Sequence, residues 1–424
     1  MKTFRFLLTL SVFFLCSTSV KSAAVLLDGI YYSHYDVSRD ILRSTENSVA
    51  CVCEVEDQTI FSARIRTYVS LSNQTMTVTL IYKRAFLGCH NLSEITLPSA
   101  VNCIQSQAFE GCISLKSFTV PRGVKVIEAN TFYSCLKLAT VSLPRGITRI
   151  DEGAFCQCVS LSSINLGDCN LKQIDVNAFQ YCSSLKEISL PGSLTDIGQG
   201  AFLGCKSLSS VVLPPNLSYL GVKAFAGCSD MSTVTFQNQS VRVSIKDSVF
   251  AGCRSLKSIE FPSLLISIGK WSFMDCVSLL SADIPGEATG IGKCAFQNCR
   301  SMKKAVIPNS VTAVGDSAFA GCISMDSVVC HMENPPACNA GMFDGIPPTC
   351  ALMVPYGRSA AYIAAGWTEE VFKGGVKEMP EPEGISSIRV QTKEDACYDL
   401  QGRRVAQPEK GRIYISGGRK VLAK

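Results

Sequence analysis

The sequence predicts a β-rich solenoid, a rod of stacked coils in which each coil buries its apolar side only against its neighbours. A Phe returns every 23 to 25 residues, eleven times between Phe86 and Phe319. A Cys follows three residues after every one of these Phe residues, from Cys89 to Cys322, and a Leu or Met follows three residues after each Cys. A fixed period in the twenties over eleven copies is the signature of a repeat protein.

Each repeat predicts the same series of short elements. Apolar and polar residues alternate after the Leu, as in Ile188, Ser189 and Leu190. This period of two predicts a strand with one buried face. A Pro ends most of these strands, because Pro lacks the N–H that a continuing ladder needs. A second apolar pair such as Leu194 and Ile197 follows, and we expect it to lie in an extended or short helical segment before the turn to the next Ala-Phe.

Stacking of equivalent strands predicts one parallel sheet on one face of the solenoid. Neighbouring strands lie about 4.8 Å apart, so about eleven 23-residue coils predict a rod on the order of 50 Å long. Two steps between Phe residues are longer than the rest, and Gly167 and Gln237 stand there in place of the strand-ending Pro. We expect small bulges or loops near Asp168–Asn170 and Gln239–Ser240 with no change of fold.

Residues 197–214 carry the most complete copy, Ile-Gly-Gln-Gly-Ala-Phe-Leu-Gly-Cys-Lys-Ser-Leu-Ser-Ser-Val-Val-Leu-Pro. This pattern resembles the BspA-like (Treponema-type) leucine-rich repeat of surface proteins from Bacteroidetes-type bacteria, over residues 85 to 370. The resemblance implies a leucine-rich repeat solenoid capped at both ends. It also implies an exported cell-surface protein, associated with the outer membrane, that serves as a protein-binding and adhesion scaffold toward host or neighbouring-cell macromolecules.

The first 24 residues predict a secretory signal peptide. They combine a basic start with an apolar run from Phe6 to Leu15, which is too short to span a bilayer, and small residues follow it. Cleavage after Ser19, Ser22 or Ala24 fits equally well. Lipidation of Cys16 is the alternative, although Leu15 is a poor residue immediately before a lipidated Cys.

Residues 25–82 lack the repeat and predict an N-terminal cap. The segment Asp28–Tyr32 is similar to the short hairpin that opens many members of the family. The alternating stretches Val52–Val55 and Thr75–Ile81 predict strands that cover the open end of the first coil. A solenoid needs such a cap to hide the apolar edge of its terminal coil.

The chain after the repeats predicts three further segments. The solenoid, residues 83–376, includes a C-terminal cap in which Ala351–Arg358 resembles the family's last strand, followed by a short helix that ends near Trp367. Residues 377–384 are polar and Pro-rich, which is typical of a linker. Residues 385–424 predict three strands in a small β-module that is similar to a type IX secretion sorting domain, which would make the export machinery a partner; a module that only ends the fold is the alternative.

The 22 cysteines suggest a disulfide framework in an exported chain, but their spacing argues against one for the repeats. Eleven of them share one repeat position, so their side chains point the same way with Cβ atoms about 4.8 Å apart, beyond the range of about 3.5–4.5 Å found in disulfides. We therefore expect a column of reduced, buried thiols. Pairing stays open for Cys51 with Cys53, and among Cys330, Cys338 and Cys350.

The sequence does not predict an enzyme, a cofactor or a metal site. It contains no Gly-x-Ser-x-Gly, no Walker loop and no Gly-x-Gly-x-x-Gly opening a helix. The three His residues are scattered, and neither Cys51 with Cys53 nor Cys156 with Cys158 has the spacing of a zinc ligand pair or a matching pair with His. Basic residues form no cluster typical of a nucleic-acid interface. No stretch after the signal peptide is apolar and long enough for a transmembrane helix.

The outward positions of the predicted strands form the candidate binding face. It is rich in Ser and Thr, contains acidic residues and lacks aromatic anchors, so we expect weak or multivalent contacts with an extracellular matrix or surface protein, or with a glycan. A carbohydrate-binding protein and a structural surface protein without a specific ligand remain the alternatives. The candidate residues are Glu94, Thr96, Ser117, Thr119, Thr140, Ser142, Ser163, Asn165, Glu187, Ser189, Thr233, Thr235, Ser258 and Glu260.

Overall fold

The computed structural model describes residues 24–36, 48–237 and 241–381, and in the C-terminal part residues 386–388, 397–399, 404–405, 409–416 and 419–423. The predicted signal peptide up to residue 23 and residues 382–384 of the predicted linker lie outside these residues. The predicted β-rich solenoid with parallel sheets is confirmed. One hydrophobic core runs without interruption from Ile30 to Phe372.

A mixed sheet begins the chain and closes the solenoid at this end. Its strands are β1 (Val25–Leu27), β2 (Ile30–Asp36), β3 (Ser48–Val55), β5 (Tyr68–Leu71) and β6 (Gln74–Ile81). β1 and β2 form the expected antiparallel hairpin around Asp28-Gly29, where both residues have positive φ. β6 also pairs in parallel with the first coil of the solenoid. The backbone groups at the edge of that coil are thereby paired within the sheet.

The predicted strands form the first ladder of the solenoid. It begins one coil earlier than the sequence pattern, because the strand before Glu94 already pairs with it in parallel. Its strands are β4 (Ser62–Arg64), β7 (Glu94–Thr96), β9 (Ser117–Thr119), β11 (Thr140–Ser142), β13 (Ser163–Ile164), β16 (Ser210–Leu213), β18 (Thr233–Phe236), β20 (Ser258–Glu260), β22 (Ser281–Asp283), β24 (Lys304–Ile307), β26 (Ser327–Cys330), β27 (Ala351–Val354) and β28 (Val376–Glu378).

The second apolar segment of each coil is extended and forms a second parallel ladder, in addition to the single sheet that the sequence predicts. Gly292, which directly follows one of these strands, shows how closely the coils approach: a Cβ there would lie 2.5 Å from the carbonyl carbon of Gly269. The strands are β8 (Cys103–Ile104), β10 (Val126–Ile127), β12 (Arg149–Ile150), β14 (Gln173–Ile174), β15 (Asp196–Ile197), β17 (Tyr219–Leu220), β19 (Val243–Ile245), β21 (Leu265–Ile268), β23 (Gly290–Ile291) and β25 (Ala313–Val314).

The repeated Phe rings stack on one another through the whole core. From Phe86 to Phe319 neighbouring centroids lie 5.1–5.8 Å apart with interplanar angles of at most 20°. Phe343 adds a twelfth ring that the repeat pattern missed, because Ile346 stands where the Cys should follow. All twelve rings are buried. Each coil therefore contributes one large side chain whose two faces contact its neighbours.

The cysteine column consists of buried free thiols, as the spacing predicts. From Cys112 onward each Sγ donates a hydrogen bond of 3.1–3.3 Å to the backbone oxygen of the Phe one coil earlier. Cys51 and Cys53 are also free, with Sγ atoms 3.6 Å apart, and so are Cys330, Cys338 and Cys350. Burial therefore selects a small residue with a weak donor at the column position.

The C-terminal cap closes the other end. It contains a short 3-10 helix (Ala340–Phe343), β27, α1 (Ser359–Ala364) and β28. The indole of Trp367 is fully buried and its Nε1 donates 2.7 Å to the Pro336 oxygen. The strand from Ala351, the short helix and the nearby Trp follow the order that the family resemblance implies, but β28 adds a further strand to the ladder after them and includes Lys377 and Glu378 of the predicted linker.

The described parts of the C-terminal module form five strands, where the sequence predicts three. Its sheet has the order β29, β33, β32, β30, β31. Cys397 to Val405, expected as one strand, forms a pair of short antiparallel strands, and an additional strand precedes them. The strands are β29 (Ser386–Ile388), β30 (Cys397–Tyr398), β31 (Arg404–Val405), β32 (Ile413–Ser416) and β33 (Arg419–Ala423).

Candidate binding groove on the first ladder

The fourteen candidate residues all occupy outward positions of the first ladder or the equivalent segment of the coil that lacks a strand. Thirteen of them are exposed and Thr235 is half-buried. Parallel pairing places equivalent residues of neighbouring coils side by side, so Thr140 lies between Ser117 and Ser163. Farther along, Thr233 lies between Ser210 and Ser258 in the same way. The candidate residues therefore form two polar rows, one for each outward position of the strands.

Part of this face is a groove of about 760 Å³. Eight candidate residues line it: Ser117, Thr119, Thr140, Ser142, Ser163, Asn165, Glu187 and Ser189. The other six, Glu94, Thr96, Thr233, Thr235, Ser258 and Glu260, lie on the same ladder on either side of the groove. The floor is apolar and includes Phe118, Val141, Ile164 and Ile188, which are at most 8% exposed.

The groove lies where the first ladder is interrupted. Residues 186–190 form no strand, although Ile188 points into the core as in every other coil. β13 pairs only with β11, and β16 pairs only with β18. Strand pairing is also broken between β7 and β9 and between β20 and β22. At those two places, however, each of the adjacent coils forms a strand. Among the described coils of the first ladder, the coil of Glu187 alone has no strand.

The interruption follows the longer repeat step that the sequence reveals. The Phe155-to-Phe179 step has 24 residues, and the extra residue falls near Asp168, where the sequence predicts a small loop. β13 ends at Ile164, and the backbone turns before Cys169, whose N–H donates to the Leu166 oxygen. The predicted loop is therefore present, and its effect extends to the next coil of the ladder. The second long step includes residues 238–240, which lie outside the described part of the chain.

Asn165 bonds to the backbone of the neighbouring coil through its side-chain amide. Its Oδ1 accepts a 2.9 Å hydrogen bond from the Leu143 N–H, and its Nδ2 donates a 3.1 Å bond to the Leu143 oxygen. The side-chain amide thus makes the two hydrogen bonds to the Leu143 backbone that a further residue of a neighbouring strand would make with its own backbone. Asn165 extends the ladder at the groove margin, whereas the sequence suggests a binding role for it.

The groove carries one ionisable side chain, Glu187, among the described residues that line it. The outward positions from Glu94 to Asp283 include four acidic residues and no Lys or Arg, the acidic residues being Glu94, Glu187, Glu260 and Asp283. Among the described strands of the first ladder, basic residues occupy outward positions only beyond this stretch, at Arg64, Lys304 and Lys377. This part of the face is therefore a weakly acidic, hydroxyl-rich surface.

Several groove residues are missing from the candidate set. Ser210 and Val212 are outward strand residues of the next coil, and Val212 is 46% exposed. Gln237 stands where most coils have Pro, and Leu190 belongs to the coil without a strand. The alternating pattern reveals the outward direction of Ser210 and Val212. It contains no signal that the surface is concave here, because concavity depends on the interrupted pairing.

The described residues contain no group of three or more His, Cys, Asp and Glu side chains that could hold a metal ion. In the same part of the chain, no helix reaches the length and apolar character needed to cross a membrane. Burial raises the pKa of the column thiols, to about 12 for Cys253 and Cys322, so these groups stay protonated at neutral pH.

Stacked 23-residue coils with a Leu-x-x-Val-x-Leu-like strand define a leucine-rich repeat solenoid, which is a scaffold built from repeats. The family model described as "BspA type Leucine rich repeat region (6 copies)" matches residues 58–185, 125–243 and 239–335. These matches cover more than half of the sequence. The chain belongs to the BspA-type leucine-rich repeat family, as the repeat pattern predicts.

Comparison with solved structures gives matches at low sequence identity. A leucine-rich repeat protein from Bacteroides ovatus is 23% identical with a TM-score of 0.49, the match covering 84% of this chain and 99% of that one. The pneumococcal vaccine antigen PcpA is 17% identical with a TM-score of 0.46, covering 84% and 98%. A leucine-rich cell surface protein from Faecalibacterium prausnitzii is 20% identical with a TM-score of 0.37, covering 72% and 94%. No curated protein matches the chain.

Proposed function

We propose that the protein is exported to the bacterial surface, where it acts as an adhesion scaffold whose first ladder binds proteins of a host or of neighbouring cells. The observation that carries this proposal is the groove, which gathers eight of the fourteen candidate residues into one concave surface. Concave sites bury more of a ligand than flat surfaces do. The long polar rows beside it can add weaker contacts.

The export part of the proposal rests on the N-terminal sequence. The basic start and the apolar run to Leu15 fit a secretory signal peptide, and the resemblance of residues 385–424 to a sorting domain fits passage through an export machinery. Fractionation of the native bacterium locates the full chain, and mass spectrometry identifies its mature N-terminus. Deletion of residues 385–424 should abolish surface display; unchanged display contradicts a sorting role for the module.

The binding part is tested with the purified full chain on arrays of extracellular-matrix proteins and of glycans. We expect saturable binding to a protein, which Ser117→Lys with Thr140→Lys weakens because the long charged side chains enter the groove. Ser218→Lys with Thr312→Lys adds the same charge at exposed positions of the second-ladder side and serves as the control. Binding to glycans alone favours a carbohydrate-binding protein, and silence on both arrays favours a structural surface protein.

A further inference from the structure

The backbone of the coil without a strand is the unusual feature of the groove. Residues 187–190 make no backbone–backbone hydrogen bond to either neighbouring coil. The nearest backbone bonds between coils flank this segment: the Ser209 N–H donates 3.0 Å to the Lys186 oxygen before it, and the Thr195 N–H donates 3.0 Å to the Lys172 oxygen after it. Glu187 and Ser189 of this stretch are exposed, Leu190 is half-buried and Ile188 is buried.

The two neighbouring strands also present edges toward this coil. β13 has a ladder partner only on its β11 side, and β16 only on its β18 side. Unpaired strand edges and unpaired extended backbone are the features that an added polypeptide segment pairs with. Elsewhere in the solenoid most backbone N–H and C=O groups are already bonded to a neighbouring coil. The backbone of a partner segment could therefore form few hydrogen bonds there.

The charge of the groove indicates which side chain a bound polypeptide segment should carry. Glu187 projects from the middle of the unpaired stretch, and the outward rows on both sides contain acidic residues and no basic ones from Glu94 to Asp283. A Lys or Arg on the partner finds an opposite charge at Glu187, whose chain neighbour Lys186 is the nearest exposed basic residue in the sequence. The groove has no exposed aromatic ring on which a sugar could stack, since Phe118 is 3% exposed.

We propose that the groove binds an extended polypeptide segment that carries a basic residue, with the backbone of residues 187–190 as the hydrogen-bonding partner and Glu187 as the counter-charge. This inference rests on the proposed function and specifies its ligand as an unfolded or loop segment of the partner protein. The hydroxyls of Ser163 and Ser189 lie at the margin of the same stretch and add side-chain donors and acceptors.

The test uses the full chain and a library of extended octapeptides that differ only in one central residue, Arg, Gln or Glu. Fluorescence anisotropy should rank them Arg over Gln over Glu. Glu187→Gln should weaken the Arg peptide by about 5-fold and remove its salt dependence, since a partly exposed ion pair contributes modestly. Glu152→Gln and Glu369→Gln remove the same charge at exposed positions outside the first ladder and should leave binding unchanged.

Backbone pairing has its own readout. N-methylation of alternate peptide amides removes hydrogen-bond donors without changing the charge. Methylation of the amides that face residues 187–190 should weaken binding about 5- to 10-fold, and methylation of the opposite set should not. Hydrogen exchange should show fast amides at residues 187–190 in the free protein and protection there when the Arg peptide is bound. Equal affinities for methylated and unmethylated peptides, or no protection of this segment, overturn the proposal.

The two proposals fail in different ways. If a protein found on the arrays binds through the ladder, as Ser117→Lys with Thr140→Lys shows, while Glu187→Gln and N-methylation change nothing, adhesion stands and the extended-segment inference is wrong. If only glycans bind, both are wrong. If basic peptides bind and protect residues 187–190 but no array protein does, the groove recognises peptides and adhesion is wrong.

Discussion

The Sγ of Cys205 donates a 3.2 Å hydrogen bond to the backbone oxygen of Phe179, one coil earlier. The same oxygen accepts the N–H of Cys182 at 3.1 Å within its own coil. The two bonds use both lone pairs of one buried carbonyl. The thiol therefore supplies the second hydrogen bond of this carbonyl oxygen. An aliphatic side chain of similar size would leave the oxygen with one hydrogen bond.

Stability should fall steeply at alkaline pH because of this column. Burial raises the pKa of the Cys253 and Cys322 thiols to about 12 and that of Cys182 and Cys228 well above its ordinary value. The unfolded thiol ionises near pH 8.5, so between that pH and about 12 the unfolded state binds fewer protons and gains stability as pH rises. Each thiol should lower the free energy of unfolding by about 1.4 kcal/mol per pH unit in this window.

Denaturant unfolding at pH 7.5 and at pH 9.5, under reducing conditions, measures this slope. Cys205→Ala should cost about 1–2 kcal/mol at pH 7.5, from the lost bond and the small cavity, and should remove one thiol's share of the slope. A slope that does not change with the number of column thiols contradicts the explanation.

Removal of one stacked ring should damage the solenoid locally and strongly. Phe202→Ala removes a side chain that stacks on both neighbours at 5.2 and 5.1 Å, and it should lower the free energy of unfolding by about 3–5 kcal/mol. Calorimetry or denaturant unfolding of the full chain measures the loss. Tyr181→Ala in the preceding coil removes an aromatic ring that is 46% exposed and should cost much less. Equal losses for the two variants would show that the stack is not the main source of stability.

Two residues of one coil test the cost of left-handed backbone. Gly227 has φ +70°, and a Cβ there would meet nothing closer than 3.7 Å, so Gly227→Ala isolates the backbone strain and should cost about 1 kcal/mol. Lys223 has φ 58°, and Lys223→Gly should relieve the same kind of strain and gain about 0.5–1 kcal/mol. Thermal unfolding of both variants checks the opposite signs. A loss of stability in Lys223→Gly contradicts the argument.

The two tryptophans should report on different environments. Trp367 is fully buried in the C-terminal cap and Trp271 is 38% exposed in the solenoid. Trp271→Phe should therefore leave a blue-shifted emission that iodide quenches poorly, and Trp367→Phe a red-shifted emission that iodide quenches well. Trp367→Phe should also lower stability, because the Pro336 oxygen loses its indole donor. Equal quenching in the two variants contradicts the assigned burial.

The sequence predicts the interior of this protein well because the interior repeats. The Phe and Cys columns and the strands that begin at Glu94 follow from a period of 23 residues and an alternation of two. The first strand of the ladder, at Ser62–Arg64, and the stacked Phe343 lack part of the repeat pattern, and they became apparent only from pairing and packing.

The candidate site is less predictable than the core. The outward positions follow from alternation, but the groove depends on a coil that forms no strand, and Ile188 and Ser189 fit the strand pattern as well as their neighbours do. The extra residue near Asp168 marks the place, while its effect on pairing is a property of the assembled ladder. For the same reason Asn165 reads as a ligand contact in the sequence, although its amide is bonded to Leu143.

The stacking of identical Phe rings has a consequence for how the gene can change. Because every ring meets an equivalent ring above and below, recombination that adds or deletes a whole 23-residue unit joins two surfaces that already match. Such length variants keep a complete core and shift one end of the rod by about 4.8 Å per unit. Units exchanged on either side of Glu187 would leave the groove intact, whereas loss of the unit that contains it would join β13 to β16 and close the interruption.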